Sequence, residues 1–229
     1  MELSIIATPA SPHFPDRRSL DFIRSNLPLA PVPGVPEIRL HKAGPASGLS
    51  RLGDSEPDFA TPYWAYHWGG GLALARYVLD TPGCVAGRRV LDLGAGSGLA
   101  AIAAAKAGAA RVTAADIDPY AMAATALNAA ANNVTVATRL GDLTTGPPPA
   151  IDMVLVADLF YAADLAERVT GFLDRCLAAN IDIMIGDPWR AYLPRKRLKL
   201  LAEYPGMDFG DLAPSAHATN AVFAFLPPA

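Results

Sequence analysis

The chain of 229 residues has little of what several classes of protein need. It has two cysteines, Cys84 and Cys176, and four histidines without zinc-ligand spacing, so neither a disulfide framework nor a metal site is expected. No apolar stretch reaches about 18 residues, and no basic segment leads into an apolar run, so neither a membrane span nor a signal peptide is expected. A net charge of −3 gives no electrostatic reason to expect nucleic-acid binding. These absences favour a cytoplasmic protein that acts on neither membranes nor nucleic acids.

Two regions of different composition divide the chain. Residues 1–62 are rich in proline and leave room for one helix, about Asp16 to Leu27, and one short strand, Glu37 to His41. We expect residues 1–62 to form an N-terminal extension or cap over a domain formed by residues 63–229.

Strands and helices alternate in the second region. The predicted strands are 89–93, 111–115, 134–138, 152–157, 181–186 and 220–226, with another near 207–211. The predicted helices are 69–79, 98–107, 119–131, 163–179 and 193–203. This alternation indicates a doubly wound α/β fold with a mostly parallel sheet, and the last two strands, with no helix between them, indicate a terminal antiparallel hairpin.

The run Val-Leu-Asp-Leu-Gly-Ala-Gly-Ser-Gly at residues 90–98 is the most informative motif. A buried strand, a glycine turn and a helix beginning at Leu99 form a cradle for a nucleotide cofactor. A dinucleotide fingerprint, Gly-x-Gly-x-x-Gly, requires its third glycine where Leu99 stands. An NAD-dependent oxidoreductase is therefore the disfavoured alternative.

Acidic residues lie at or near the carboxyl ends of three of the predicted strands. Asp92 precedes the first glycine and is placed for the ammonium of a sulfonium cofactor with a methionine tail. Asp116 ends the second strand and can accept hydrogen bonds from ribose hydroxyls. Asp142 follows the third strand, where its oxygen can meet an adenine amino group. The carboxyl ends of parallel strands share one edge, where ligands bind in open α/β folds.

This combination resembles the class I S-adenosylmethionine-dependent methyltransferases over about residues 64–226. The resemblance implies a Rossmann-like, seven-stranded sheet with an antiparallel last strand, S-adenosylmethionine as the cofactor, S-adenosylhomocysteine as the product, and no metal. The expected cofactor-binding residues are Trp68, Asp92, Gly94, Ala95, Gly96, Ser97, Gly98, Asp116, Ile117, Asp142 and Asp158.

Three further motifs narrow the substrate class. They are Trp64-x-x-x-Trp68-x-Gly-Gly, Asp158-Leu159-Phe160-Tyr161 and the run Gly-Asp-Pro-Trp-Arg at 186–190. With the glycine run, they resemble the electron transfer flavoprotein beta-subunit lysine methyltransferases, which include bacterial members. Methyltransferases of nucleic-acid amines carry Asn/Asp-Pro-Pro-Tyr/Phe at 158–161, where Leu159 and Phe160 replace both prolines. Ribosomal-protein methyltransferases generally carry Asn-Pro in place of the Asp-Leu-Phe-Tyr motif, so the motif counts against both classes.

The resemblance implies methylation of lysines on the flavoprotein beta subunit. A ribosomal stalk protein, another large-subunit ribosomal protein or a small amine is the alternative substrate. A protein that binds the cofactor without catalysing a reaction is an alternative of another class. The presence of all the expected acids, together with Asp158, counts against it.

Roles for individual side chains follow from the same resemblance. The expected catalytic residues are Asp158, which would orient the lysine amine, and Tyr161. The expected substrate-binding residues are Trp64, Phe160, Tyr161, Asp187 and Trp189, and plain core packing is the alternative for each aromatic. A basic cluster at residues 195–199 is expected on a late helix, either solvated or docking an acidic protein surface.

Overall fold

The computed structural model describes residues 16–50, 52, 60–206 and 219–228 and contains two sheets within them. A small antiparallel sheet pairs β1 (Leu29–Val32) with β2 (Val35–His41). The large sheet contains β3 (Arg89–Leu93), β4 (Arg111–Asp116), β5 (Ala137–Leu140), β6 (Met153–Ala157), β7 (Asp182–Asp187), β8 (Leu198–Pro205) and β9 (Thr219–Phe225).

The order of the large sheet is β5-β4-β3-β6-β7-β9-β8, and β9 runs antiparallel to both neighbours while the other pairs are parallel. The predicted seven-stranded fold with an antiparallel last strand is confirmed.

Helices cover both faces of this sheet. They are α1 (Arg17–Asn26), α2 (Gly69–Asp80), α3 (Leu99–Lys106), α4 (Pro119–Ala131) and α5 (Ala163–Ala178). Side chains alternate along a strand, so successive residues of β6 pack into the cores on opposite faces of the sheet. Met153 and Leu155 pack in the core with α2 and α3, whereas Val154 and Val156 pack in the core with α5. No helix in the described ranges is long and apolar enough to cross a bilayer.

The N-terminal segment packs against α4. Ile23 and Leu27 at the end of α1 are buried in a cluster with Trp64 and several residues of α4. Two amide side chains on α4 hold strand β2, since Asn128 Oδ1 accepts the His41 backbone N–H at 2.7 Å and Asn132 Oδ1 accepts that of Arg39 at 3.0 Å. The helix and the strand expected before residue 63 are therefore present.

The predicted helix at 193–203 is wrong. That stretch is a single 3₁₀ turn, Arg195–Arg197, followed by β8, which pairs along its length with β9. Its Arg, Lys and Leu residues favour a helix locally, but pairing at the sheet edge overrides that preference. The basic cluster therefore lies on a turn and the start of an edge strand, where Arg197 pairs with Asp174 of α5 at 2.7 Å.

The boundaries of two other strands also differ from the prediction. The hairpin that ends the sheet is β8–β9, and the strand expected near 207–211 lies outside the described residues. Strand β5 begins at Ala137, three residues later than predicted from position 134.

Candidate active site

A cavity of about 650 Å³ opens at the carboxyl ends of β3, β4 and β6. It lies where the strand order reverses between β3 and β6, the position at which open α/β sheets bind ligands. Its volume is in the range of small-molecule sites. The predicted residues that line it are Trp64, Trp68, Asp92, Gly94, Ala95, Gly96, Ser97, Asp116, Ile117, Asp142, Asp158 and Tyr161.

The loop after β3 brings bare backbone to the cavity wall. Gly94 and Gly98 have φ of +68° and +79°, in the left-handed region that favours glycine. A Cβ on Gly94 would stand 2.6 Å from the Leu159 side chain, and one on Gly98 would stand 2.9 Å from the Thr125 side chain. Gly98 itself is the N-cap of α3 and lies beside the cavity lining. Conformation and space together therefore require glycine at both positions.

Two carboxyl groups lie behind this loop, that of Asp92 buried and that of Asp116 partly buried. Asp92 accepts the backbone N–H of Ala101 at 2.9 Å, and Asp116 accepts those of Gly96 at 2.9 Å and Asp118 at 3.0 Å. Burial, with a smaller contribution from the nearby Asp116 carboxylate, raises the pKa of Asp92 to about 7. Burial also raises the pKa of Asp116. Such a pair of acids suits a ligand that brings an ammonium group and hydroxyl donors.

Asp142 and Ile117 also line the cavity. Asp142 accepts the backbone N–H of Thr144 at 2.8 Å and so caps the short turn that follows β5. Ile117 is 72% exposed, although it borders the cavity. A large apolar side chain left open at a cavity edge offers a packing surface for a planar, apolar ring.

Asp158, at the end of β6, is held by three donors. Its carboxylate accepts the backbone N–H groups of Gly70 at 3.1 Å and Gly71 at 2.7 Å, in the first turn of α2, where a negative charge is favoured. Arg190 Nη2 donates to the same carboxylate at 2.9 Å. The residue has φ of 58°, a conformation that costs about 1–3 kcal/mol and persists where surrounding contacts enforce it. Asp158 therefore ties β6 to the start of α2.

Close packing of two glycines allows α2 to reach Asp158. A Cβ on Gly70 would stand 2.2 Å from the carbonyl oxygen of Gly186 in β7, and the reverse contact is equally short. Sequence reasoning noted both glycines within motifs but not that they touch.

Arg190, in the loop after β7, lines the cavity but was not among the site residues predicted from the sequence. Asp187 is fully buried and accepts the backbone N–H of Arg190 at 2.6 Å, and Trp189 packs edge-on against Phe223 at 4.8 Å. Neither Asp187 nor Trp189 lines the cavity, whereas Arg190 does. The structure therefore gives the two expected substrate contacts a different place, as anchors of the loop. The motif itself was the available signal.

The predicted aromatic residues separate into two groups. Phe160 is fully buried in the core cluster that contains residues of α5, and it does not line the cavity. Tyr161 is 49% exposed and lines the cavity. Trp64 is buried and stacks on Tyr120 at 5.8 Å while bordering the cavity.

Tyr63, which sequence reasoning did not select, also lines the cavity. It lies 5.7 Å from Tyr161, between ring centroids. Its position beside Trp64 in the first motif was the available signal.

Comparison with known proteins places this site in a family. Over 196 residues the chain is 39% identical to the electron transfer flavoprotein beta subunit lysine methyltransferase of Xenopus laevis, covering 82% of this chain and 78% of that protein. This chain belongs to the electron transfer flavoprotein beta subunit lysine methyltransferase family. The human protein of that name is 37% identical over 172 residues, covering 72% of this chain and 66% of the human protein.

More distant similarity is confined to part of the chain or to the fold. The model of the ribosomal protein L11 methyltransferase (PrmA) family matches residues 75–179. Magnesium protoporphyrin IX methyltransferase from Synechocystis PCC 6803, solved with bound S-adenosylhomocysteine, superposes with a TM-score of 0.51 at 16% identity, covering 80% of this chain and 95% of that one. A Thermoplasma acidophilum protein gives 0.52 at 20% identity, covering 66% and 87%. These two likenesses show the methyltransferase-type fold.

Proposed function

We propose that this protein transfers methyl groups from S-adenosylmethionine to lysine side chains of the electron transfer flavoprotein beta subunit. The observation that carries the proposal is one continuous cavity with a glycine-and-acid end and an aromatic end, joined by Asp158. Its relatives, named for that substrate, support the choice of acceptor.

The glycine-and-acid end fits the cofactor. Backbone at Gly94 to Gly98 would lie along the methionine and ribose portion, held in its conformation by glycines with positive φ. Asp92 would face the ammonium, Asp116 the ribose hydroxyls, and Asp142 with Ile117 the adenine. The bound cofactor supplies an electrophilic methyl group on a sulfonium. The fit rests on charge and hydrogen bonding, since buried Asp92 gains a cationic partner and Asp116 gains hydroxyl donors.

The aromatic end prepares the nucleophile. A lysine ammonium has a pKa near 10.4, so neutralising it at pH 7 costs roughly 4–5 kcal/mol. Removal from water lowers that pKa, and alignment against the reacting carbon contributes up to about 7–11 kcal/mol in well-ordered cases. Tyr161 and Trp68 would line the apolar lysine stem, whereas the exposed side of Tyr161 stays open to water.

Asp158 would orient the amine rather than take its proton. The carboxylate already accepts from two backbone N–H groups and from Arg190, which leaves little of its roughly four-site capacity. A carboxylate beside an amine also raises the amine's pKa, which opposes deprotonation. Water entering from the exposed side of Tyr161 is the proton acceptor in this scheme.

The experiment is methyl transfer from labelled S-adenosylmethionine to purified electron transfer flavoprotein, with ribosomal stalk protein and ribosomal protein L11 as parallel acceptors. Mass spectrometry of digested products then locates the label. We expect lysines of the flavoprotein beta subunit to be labelled and the ribosomal proteins to remain unlabelled. Label on a ribosomal protein alone would establish the alternative substrate, and no label on any protein would refute the proposal.

A further inference from the structure

Three aromatic rings form a cluster at the rim of the cavity. Tyr63 is in the middle, with ring centroids 5.6 Å from Trp68 and 5.7 Å from Tyr161. The rings are inclined by 62° and 41°, so they present faces in different directions rather than stacking. Tyr63 and Tyr161 are each 49% exposed. We call these three residues the ring cluster.

Local contacts hold the ring cluster in place. Trp68 Nε1 donates a hydrogen bond to the Tyr63 carbonyl oxygen at 3.0 Å. Trp68 is the N-cap of α2, one residue before the glycines that begin the helix, two of which bind Asp158. The cluster therefore has a fixed position beside the acid that would orient the lysine.

One cation already lies against this cluster. The guanidinium carbon of Arg190 is 5.8 Å from the centroid of the Trp68 ring, and the same guanidinium pairs with Asp158 at 2.9 Å. A positive charge within about 6 Å of a ring face is attracted by the ring's quadrupole. Rings and carboxylate together thus form an environment that accepts a cation.

We propose that the ring cluster binds the methylated lysine ammonium and retains the substrate between successive methyl transfers. This inference rests on the proposed function. Each methyl group removes one N–H donor from the ammonium and weakens its hydration, so the methylated cation loses less on leaving water. Ring faces offer attraction without strong hydrogen-bond acceptors, and they therefore favour methylated over unmodified lysine.

The reaction sequence balances at each round. The amine lone pair forms the N–C bond, the S–CH₃ bond breaks, and sulfur keeps the electron pair as S-adenosylhomocysteine forms. The resulting methylammonium must lose a proton to water before the next transfer, and a fresh cofactor must bind. Retention requires the side chain to rest at the ring cluster while the cofactor at the glycine loop exchanges.

The test measures product states at low conversion, with the flavoprotein in large excess over the enzyme. We expect wild type to yield di- and trimethyl-lysine while most substrate is still unmodified. Tyr63→Ala and Tyr161→Ala should instead release monomethyl-lysine first. Tyr63→Phe keeps the ring and should keep the wild-type product distribution. Tyr192→Ala removes a tyrosine that is 50% exposed and outside the cavity lining, and serves as the matched control.

A binding measurement accompanies the kinetics. Peptides with unmodified or trimethylated lysine are titrated into enzyme saturated with S-adenosylhomocysteine. The trimethylated peptide should bind wild type more tightly, and each alanine variant should lose about 3- to 30-fold of its affinity for that peptide. Thermal unfolding of every variant checks that it remains folded, and Tyr161→Ala carries the test should Tyr63→Ala unfold.

Two results would overturn the inference: monomethyl-lysine released first by wild type, or alanine variants with unchanged product states and peptide affinity. A wild-type protein that does not methylate the flavoprotein refutes the proposed function instead. In that case equal binding of unmodified and trimethylated peptides also refutes the ring cluster as a cation site.

Discussion

The two ends of the cavity are built in different ways. The glycine-and-acid end comes mainly from one continuous loop, in which backbone between Gly94 and Gly98 forms the wall. The aromatic end comes from side chains on three separate segments, represented by Tyr63, Tyr161 and Arg190. A binding wall made of backbone depends on conformations that favour glycine, so it can be predicted from the position of glycines in the sequence. Side chains that converge across segments leave no such local signature.

The largest expected effect is at the acid that joins the two ends. Asp158→Asn keeps an oxygen for the backbone N–H groups of α2 but loses the negative charge and the ion pair with Arg190. We expect kcat/KM to fall by roughly 100- to 1,000-fold, because misplacement of the reacting amine by about 1 Å is worth about 100-fold. Steady-state methylation assays measure the change.

Asp174→Asn is the control for that prediction, since Asp174 forms an ion pair with Arg197 at 2.7 Å and does not line the cavity. It should retain near wild-type activity. Full activity of the Asp158→Asn enzyme would show that Asp158 only holds the start of α2 and does not orient the amine.

The second prediction breaks the cofactor end alone. Gly94→Ala places a Cβ at φ of +68° and 2.6 Å from Leu159. We expect S-adenosylhomocysteine to bind about 10- to 100-fold more weakly, because positive φ and steric overlap each oppose the loop conformation. Isothermal titration measures the affinity. Gly83→Ala, where an added Cβ meets nothing within 4 Å, should bind as wild type does. Equal affinities for both variants would contradict the backbone cradle.

The third prediction concerns pH. The pKa of Asp92 is raised to about 7 by burial, so the ligand-free folded protein binds more protons than the unfolded chain between about pH 4 and 7. The free energy of unfolding should therefore fall as pH rises through this window. Asp92→Asn should remove roughly 1–3 kcal/mol of that dependence, measured by denaturation without cofactor at pH 5 and pH 8. Parallel pH profiles for wild type and variant would show that Asp92 is not the titrating group.

The smallest expected effect is that of a substitution at Phe160, which tests whether this side chain packs in the core or contacts the substrate. Phe160→Leu alters a fully buried ring beneath the sheet and should lower the free energy of unfolding by about 1 kcal/mol. We expect the KM for the protein substrate to stay unchanged, because Phe160 does not line the cavity. Chemical denaturation and methylation kinetics on one preparation give both quantities. A raised KM with an unchanged free energy of unfolding would show that Phe160 contacts the substrate after all.

Local patterns predicted most of the fold. The periodicity of apolar residues identified helices α1 to α5 closely, and glycines after β3 identified the cofactor end. The prediction failed at β8, where Arg195 to Leu201 has a composition that favours a helix. Only the pairing with β9 makes that segment a strand, and this partner lies beyond any local window.

Within the motifs, the sequence predicted several side chains that line the cavity, including Trp68, Asp158 and Tyr161, but it did not separate them from neighbours that do not line it. Asp187 and Trp189 are as polar or as aromatic as a substrate contact, yet Asp187 is buried, Trp189 packs on Phe223, and Arg190 is the residue that lines the cavity. Phe160 and Tyr161 are adjacent and aromatic, yet one is buried in the core and the other faces the cavity. Composition carries the residue type, whereas the direction of the side chain depends on strand ends and loop geometry.

The sequence by itself determined the backbone-built end of this protein, because glycine at 94 and 98 and acids at 92 and 116 are requirements of local conformation and charge. Only the tertiary structure decided the aromatic end. The ring cluster exists because the turn before α2, the end of β6 and the loop after β7 meet at one edge of the sheet. The physical reason is range: φ and hydrophobic period act over a few residues, while side-chain convergence depends on packing among segments that lie about 30 to 130 residues apart in the chain.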